Sequence, residues 1–187
     1  VIDVSVNEIN GGSIEVLCGK NNCKHNINKS KINKLLSDEK KITSTSYKNF
    51  SKRINKSKDN LTGFIKNNKS KRFIGYGAST KGNVVLNHFK ISNKSLPYIC
   101  DGNKTKIKKY TPGGNIKIIS KDQMRKLKPN YLIVLIWSFR SEIIKEEIDY
   151  IKKGGSLIFH LPRFHIINKL NYKKYIKKDF KDLSYSY

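Results

Sequence analysis

Apolar and polar positions alternate at the start of the chain. Val1-Ile2-Asp3-Val4-Ser5-Val6 and Ser13-Ile14-Glu15-Val16-Leu17-Cys18 read as two half-buried strands. Asn10-Gly11-Gly12 between them is a turn signal, so the pair reads as a hairpin. A hairpin of this size is not stable alone. The period then lengthens. After a polar, turn-like stretch over residues 21–30, Ile32, Leu35 and Leu36 fall at helical spacing. Tyr47, Phe50, Ile54, Leu61, Phe64 and Ile65 form a longer helical stripe. This helix is expected to end among residues 67–71 and to pack on the domain that follows.

From Phe73 onward short apolar runs and helical patterns take turns. Phe73-Ile74-Gly75-Tyr76 is a strand, and Val84-Val85-Leu86-Asn87-His88-Phe89 is helical. Leu96-Pro97-Tyr98-Ile99-Cys100 is a short strand ending at Asp101. A basic, loop-like stretch over residues 104–110 leads to the tight turn Thr111-Pro112-Gly113-Gly114. Asn115-Ile116-Lys117-Ile118-Ile119 is a third strand, and Ser120 with Gln123 has the spacing of a capping box opening a brief helix. Tyr131-Leu132-Ile133-Val134-Leu135-Ile136 is the most apolar run and reads as a buried parallel strand. Residues 142–153 are helical, closed by Gly154-Gly155. Ser156-Leu157-Ile158-Phe159-His160 is the last expected strand, and the lysine- and tyrosine-rich tail after Arg163 is unassigned. The expected fold is α/β: a doubly wound, mostly parallel, Rossmann-like sheet, preceded by a β-hairpin and a helical connector. The expected divisions are 1–20 (hairpin), 21–68 (connector), 69–165 (Rossmann-like domain) and 166–187 (basic tail).

The chemistry concentrates where the first of these strands meets its helix. Gly75-Tyr76-Gly77-Ala78-Ser79-Thr80-Lys81-Gly82-Asn83 is a strand, a glycine-rich loop and a helix start. Glycines let a backbone turn tightly and approach a ligand. The N–H groups and dipole of the helix start favour an anion. Lys81 opposes that dipole, and a bound phosphate would remove the conflict. The plain alternative is a strand-to-helix turn with a solvated lysine. Thr80 stands where G-x-G-x-x-G has its third glycine, which weakens a dinucleotide reading more than a phosphate reading. Asp101 stands where an α/β nucleotide fold places an acid near a ribose; an Asx turn with Gly102 and Asn103 explains it equally. Trp137, just beyond the buried strand, is placed to stack on a base or sugar, or simply to pack.

Composition changes the picture less than its size suggests. The net charge of +25 on 187 residues points to an anionic partner. Arginine, however, occurs only at positions 53, 72, 125, 140 and 163, and dedicated phosphate readers favour its planar fork. Abundant lysine, asparagine and isoleucine fit an A/T-rich codon bias on an ordinary surface, so nucleic acid is not the expected partner. No apolar run approaches about 18 residues, so no membrane span is expected. Residues 1–17 are broken by Asp3, Asn7, Glu8, Asn10 and Glu15 and do not read as a signal peptide. Three cysteines, at 18, 23 and 100, do not make a disulfide framework, which points to a reducing cytoplasm. Cys18, Cys23 and His25 lack the paired spacing of a zinc site. The chain begins at Val1 and its single methionine is Met124, which reads as a fragment or a processed chain.

The glycine segment 75–83, Asp101-Gly102-Asn103, Lys109-Tyr110-Thr111-Pro112-Gly113 and Trp137-x-Phe139-Arg140-x-Glu142 occur in that order. This set resembles the C-terminal domain of the S-adenosylmethionine-dependent sugar C-methyltransferases, which act on nucleotide-linked keto-deoxysugars. Gly11-Gly12-Ser13 resembles the hairpin that closes that family's central domain. The resemblance implies that Gly75, Tyr76, Gly77, Ala78, Ser79, Lys81, Gly82, Asn83, Asp101, Trp137 and Glu142 contact substrate. Within that set Gly77, Ser79, Lys81 and Asn83 face the pyrophosphate, while Trp137 and Glu142 line the cleft. Ser138 departs from the residue commoner there. The implied ligand is a keto-deoxysugar, expected to be dTDP-linked. S-adenosylmethionine would be held by an upstream domain, zinc by an N-terminal region, and neither by these residues. No catalytic residue is carried over. Two other readings remain: a nucleotide- or NAD-binding domain of a sugar-nucleotide oxidoreductase, and a basic nucleic-acid binder.

Overall fold

The computed structural model describes residues 1–7, 9 and 12–176. Glu8, Asn10, Gly11 and residues 177–187 lie outside the described residues, and with them most of the expected hairpin turn and the end of the expected tail. The chain forms two compact units, Val1–Ile54 and a second beginning at Asn55.

In the first unit β1 (Asp3–Asn7) and β2 (Ser13–Leu17) pair antiparallel, with Asp3 opposite Leu17 and Asn7 opposite Ser13. Helix α1 (Lys29–Lys40) starts at Asn28, whose side chain accepts from the Lys31 N–H and whose own N–H donates to the Ile2 carbonyl at 2.8 Å. Lys31 pairs with Asp3 at 3.0 Å. Helix α2 (Ser44–Asn67) begins in this unit and ends in the second. Its apolar stripe splits accordingly. Tyr47 and Phe50 are exposed, whereas Leu61 and Ile65 are buried. The Phe64 ring meets Tyr131 edge-on at 5.2 Å and Phe73 at 6.2 Å, which docks the end of α2 against the sheet.

The second unit contains β3 (Phe73–Tyr76), α3 (Thr80–His88), β4 (Tyr98–Cys100), β5 (Lys117–Ile119), α4 (Lys121–Leu127), β6 (Tyr131–Val134), α5 (Arg140–Glu146), α6 (Ile148–Lys152), β7 (Ser156–Phe159), β8 (His165–Ile167) and α7 (Tyr172–Ile176). The sheet order is β5-β4-β3-β6-β7-β8. All neighbours are parallel except β7 and β8. This is the expected α/β sheet, with its order reversing between β3 and β6. Ile74, Leu132, Ile133, Val134, Leu157, Ile158 and Phe159 are fully buried, as expected of central parallel strands covered on both faces.

Three expectations are corrected. Strand pairing does not end at His160, because β8 adds an antiparallel edge with Ile158 opposite Ile166; three residues are too few to show a period. Residues 142–153 are not one helix. The break falls on Glu147, which is fully buried and has its carboxylate on the Arg125 guanidinium at 2.7 Å. A buried carboxylate without that partner would be strongly unfavourable. The strands ending at Cys100 and Ile119 are also shorter than read. Pro97 has no N–H to pair, and Asn115 takes a left-handed φ of 50°. The capping box of Ser120 and Gln123 is present as expected.

His160 sits at the end of β7 with no exposed surface. Its carbonyl accepts the Ser57 hydroxyl at 2.8 Å, and its ring lies edge-on to Trp137 at 5.0 Å. Neither ring nitrogen has a well-formed hydrogen bond. Burial pushes the imidazole down to about 4 from its ordinary 6.5, against a weaker pull from the Val134 carbonyl. The unfolded chain therefore gains a proton near pH 6.5 that the folded chain binds only near pH 4. Stability is complete above 6.5 and declines as pH falls towards 4, with a slope approaching about 1.4 kcal/mol per pH unit. His165, lowered chiefly by burial, adds to the decline. Thermal melts from about pH 7 to about pH 4.5 check this: His160→Gln should show a shallower dependence than the parent chain, and equal slopes would contradict it.

Candidate functional site

Ligands of open α/β sheets sit at the carboxyl ends of the strands where the order reverses. Here that point lies between the turn after β3 and the chain leaving β6. Each glycine of the turn answers a close contact. A Cβ on Gly75 would lie 2.7 Å from Ile99 Cγ1, and one on Gly77 would lie 2.8 Å from the Ile136 side chain. Gly77 also has φ of 87°, where other residues are strained. A Cβ on Gly82 would lie 2.7 Å from Leu135 Cβ and 3.2 Å from the Leu135 carbonyl oxygen. Gly82 thus performs the helix-to-strand packing that the third glycine performs in G-x-G-x-x-G, two positions late. Thr80 can occupy the usual position for that reason.

The polar groups of the turn are largely engaged with one another. Ser79 caps α3: its hydroxyl accepts the Gly82 N–H at 2.9 Å and donates to the Leu135 carbonyl at 3.2 Å. The Gly77 N–H donates to the Cys100 carbonyl at 2.8 Å. Asp101 accepts the Ala78 N–H at 2.7 Å with one oxygen and the Asn103 N–H at 2.7 Å with the other. The Asx turn is therefore real, and Asp101 also braces the glycine turn. Lys106 donates to the Ala78 carbonyl at 2.9 Å from the same side.

Two clefts flank this turn. One, of about 200 Å³, is bordered by Ala78, Thr80, Asn83, Tyr110, Thr111 and Pro112. The Asn83 Oδ1 is buried and has no hydrogen-bond partner, so it offers an acceptor there. The Asn87 amide ties the Pro112 carbonyl to α3 at 3.2 Å. Sequence reading found the 111–114 turn but nothing that placed it beside the glycines. The other cleft, of about 170 Å³, lies between Gly77, Asp101, Lys106, Lys121, Ile136 and Glu146. In it the Tyr76 hydroxyl donates to Glu146 at 2.8 Å, and Lys121 pairs with Glu146 and lies 5.1 Å from the Tyr76 ring centre. The Lys121 hydrogen bond, with help from Tyr76, holds the Glu146 carboxyl below its usual range. Burial, then Glu147, raises the Tyr76 phenol. Burial pushes the Cys100 thiol up to about 12, so it remains a protonated packing group.

Lys81 is exposed in the first turn of α3, which carries no acidic residue. Trp137 is half-buried in a 3₁₀ turn (Trp137–Phe139) against His160, and Glu142 is exposed on α5. Neither borders the two clefts. Among the described residues no three His, Cys, Asp or Glu side chains come together as a metal-binding group, and no helix is long and apolar enough to cross a membrane.

This arrangement coincides with a family match. Residues 8–162 match the family described as the C-methyltransferase C-terminal domain, and the chain belongs to that family. It is similar to the C-methyltransferase NovU of Streptomyces niveus, with 26% identity over 173 residues. That alignment covers 90% of this chain and 41% of NovU, so the chain spans less than half the length of that relative.

Gly82→Ala tests the packing of the turn. The added methyl must push α3 off Leu135, at an expected cost of about 1–3 kcal/mol. Urea unfolding followed by the fluorescence of the single tryptophan measures it; unchanged stability would mean that α3 moves freely against β6.

Proposed function

We propose that this chain is the substrate-holding C-terminal part of a C-methyltransferase acting on a nucleotide-linked keto-deoxysugar. The observation that carries the proposal is the cleft beside the amino end of α3, at the reversal point of the sheet, in a chain of this family. The start of α3 favours an anion, its first turn holds no acidic residue, and Lys81 adds a positive charge there. A diphosphate satisfies all three conditions. The Asn83 acceptor and the Tyr110–Pro112 wall then meet the neighbouring sugar or base.

In such a reaction a base removes the proton beside the sugar ketone, and the resulting carbanion takes the methyl group. This chain supplies grip and orientation, which lower the barrier by fixing the reacting carbon in place. S-adenosylmethionine does not fit these residues. Asp101, the acid at the ribose position, already holds two backbone N–H groups and braces the glycine turn instead. On this proposal the donor is held elsewhere in the enzyme, and the chain alone transfers no methyl group.

Calorimetry with dTDP, other nucleoside diphosphates, NAD and a short DNA duplex tests the proposal. dTDP should bind, and Lys81→Ala should weaken it by about tenfold, or ~1.4 kcal/mol, without changing the melting temperature. Unchanged affinity would remove the phosphate grip. Selective NAD binding would instead mark a dinucleotide domain, and salt-sensitive DNA binding alone would make the net charge the functional feature.

A further inference from the structure

A larger cleft, of about 600 Å³, opens at the other end of the same strands. It lies where α2 ends, β3 begins and the 90–97 connection leads into β4. It is about 10 Å along β3 from the glycine turn. Lys66, Lys69, Lys71, Arg72, Lys90 and Lys94 make up half of its twelve lining residues, and none of the twelve is acidic. Lysine and arginine are only 39 of 187 residues in the whole chain, so composition alone does not account for this clustering.

None of the five lysines has an ion-pair partner among the described residues, whereas Lys31, Lys41, Lys106 and Lys121 elsewhere do. Arg72 donates to the Leu127 carbonyl and keeps its charge. Five uncompensated ammonium groups around one concavity raise its potential and repel one another. The floor is different: Ile65, Phe73 and Ile91 are nearly buried there, with Pro97 beside them.

We propose that this cleft binds a small ligand carrying a triphosphate on an uncharged, ring-bearing body. Mobile ammonium groups suit a multiply charged phosphate chain better than a planar carboxylate, which matches arginine's fork. The volume is that of a small-molecule site. A single-stranded nucleic acid would need a continuous basic track with exposed aromatic rings for stacking, whereas Phe73 is 5% exposed and stacked on Tyr131. The site is separate from the glycine turn and does not depend on the function proposed for it.

Calorimetry of the whole chain with ATP and with inorganic triphosphate, at near-physiological salt, tests the proposal. ATP should bind, and triphosphate more weakly. Lys69→Glu combined with Lys94→Glu should weaken ATP at least tenfold, whereas Lys34→Glu with Lys48→Glu, an equal change in net charge elsewhere, should alter it less than twofold. Lys81→Ala should leave ATP affinity unchanged while acting on dTDP. All substituted lysines are exposed, and melting temperatures should match the parent chain. The proposal is overturned if ATP does not bind, if the two charge-reversed pairs behave alike, or if a 12-nucleotide single strand displaces ATP from the cleft at lower concentration.

Discussion

The first turn of α3 meets the chain leaving β6 with no space for a side-chain carbon at Gly82, and Gly77 meets Ile136 in the same way. Everything at the candidate site depends on this approach. It fixes the amino end of α3 over the carboxyl ends of β3 and β6, and so aims the helix dipole into the region where the sheet reverses. Ser79 then bonds both ways, to the Gly82 N–H behind it and to the Leu135 carbonyl across the gap. Asp101 closes the arrangement from β4 by taking the Ala78 N–H. The turn is thus held from three strands. A ligand would meet a preformed surface rather than a loop that must be ordered on binding.

The acids and bases of the second unit are distributed unevenly around this frame. Glu146 and Glu147 are paired with Lys121 and Arg125, and both serve the packing of α4 against α5 and α6. The first turn of α3 holds no acid, and none lines the α2–β3 cleft. The two proposed phosphate sites, at opposite ends of the same strands, therefore differ in what would hold an anion. One rests on a helix terminus with a single lysine, the other on a cluster of lysines over an apolar floor.

Much of the scaffold was legible in the sequence because it rests on local signals. The apolar run at 131–136, whose strand ends at Val134, the glycine turn after Tyr76 and the capping box at Ser120 each need only neighbouring residues. The break at Glu147 was not legible, since it turns on a partner 22 positions away at Arg125. The role of Asp101 stayed open in sequence for the same reason: the Asx turn is local, but the bond to Ala78 crosses between two strands. Thr80 reads as a departure from a dinucleotide motif, and only the contact at Gly82 shows which position does the packing. The 110–112 wall of the cleft depends on Asn87 reaching Pro112, which no spacing reveals. The α2–β3 cleft gathers lysines from some 28 positions of a chain that is basic nearly everywhere, and only folding separates them from the background.

Amide chemical-shift mapping during a dTDP titration tests the central claim most directly. If the glycine turn is the grip, the largest shifts should fall on residues 78–83, with a second group at 110–113 across the cleft. Shifts confined to residues 66–73 and 90–97, or scattered over the lysine-rich surface with no maximum at the turn, would contradict it.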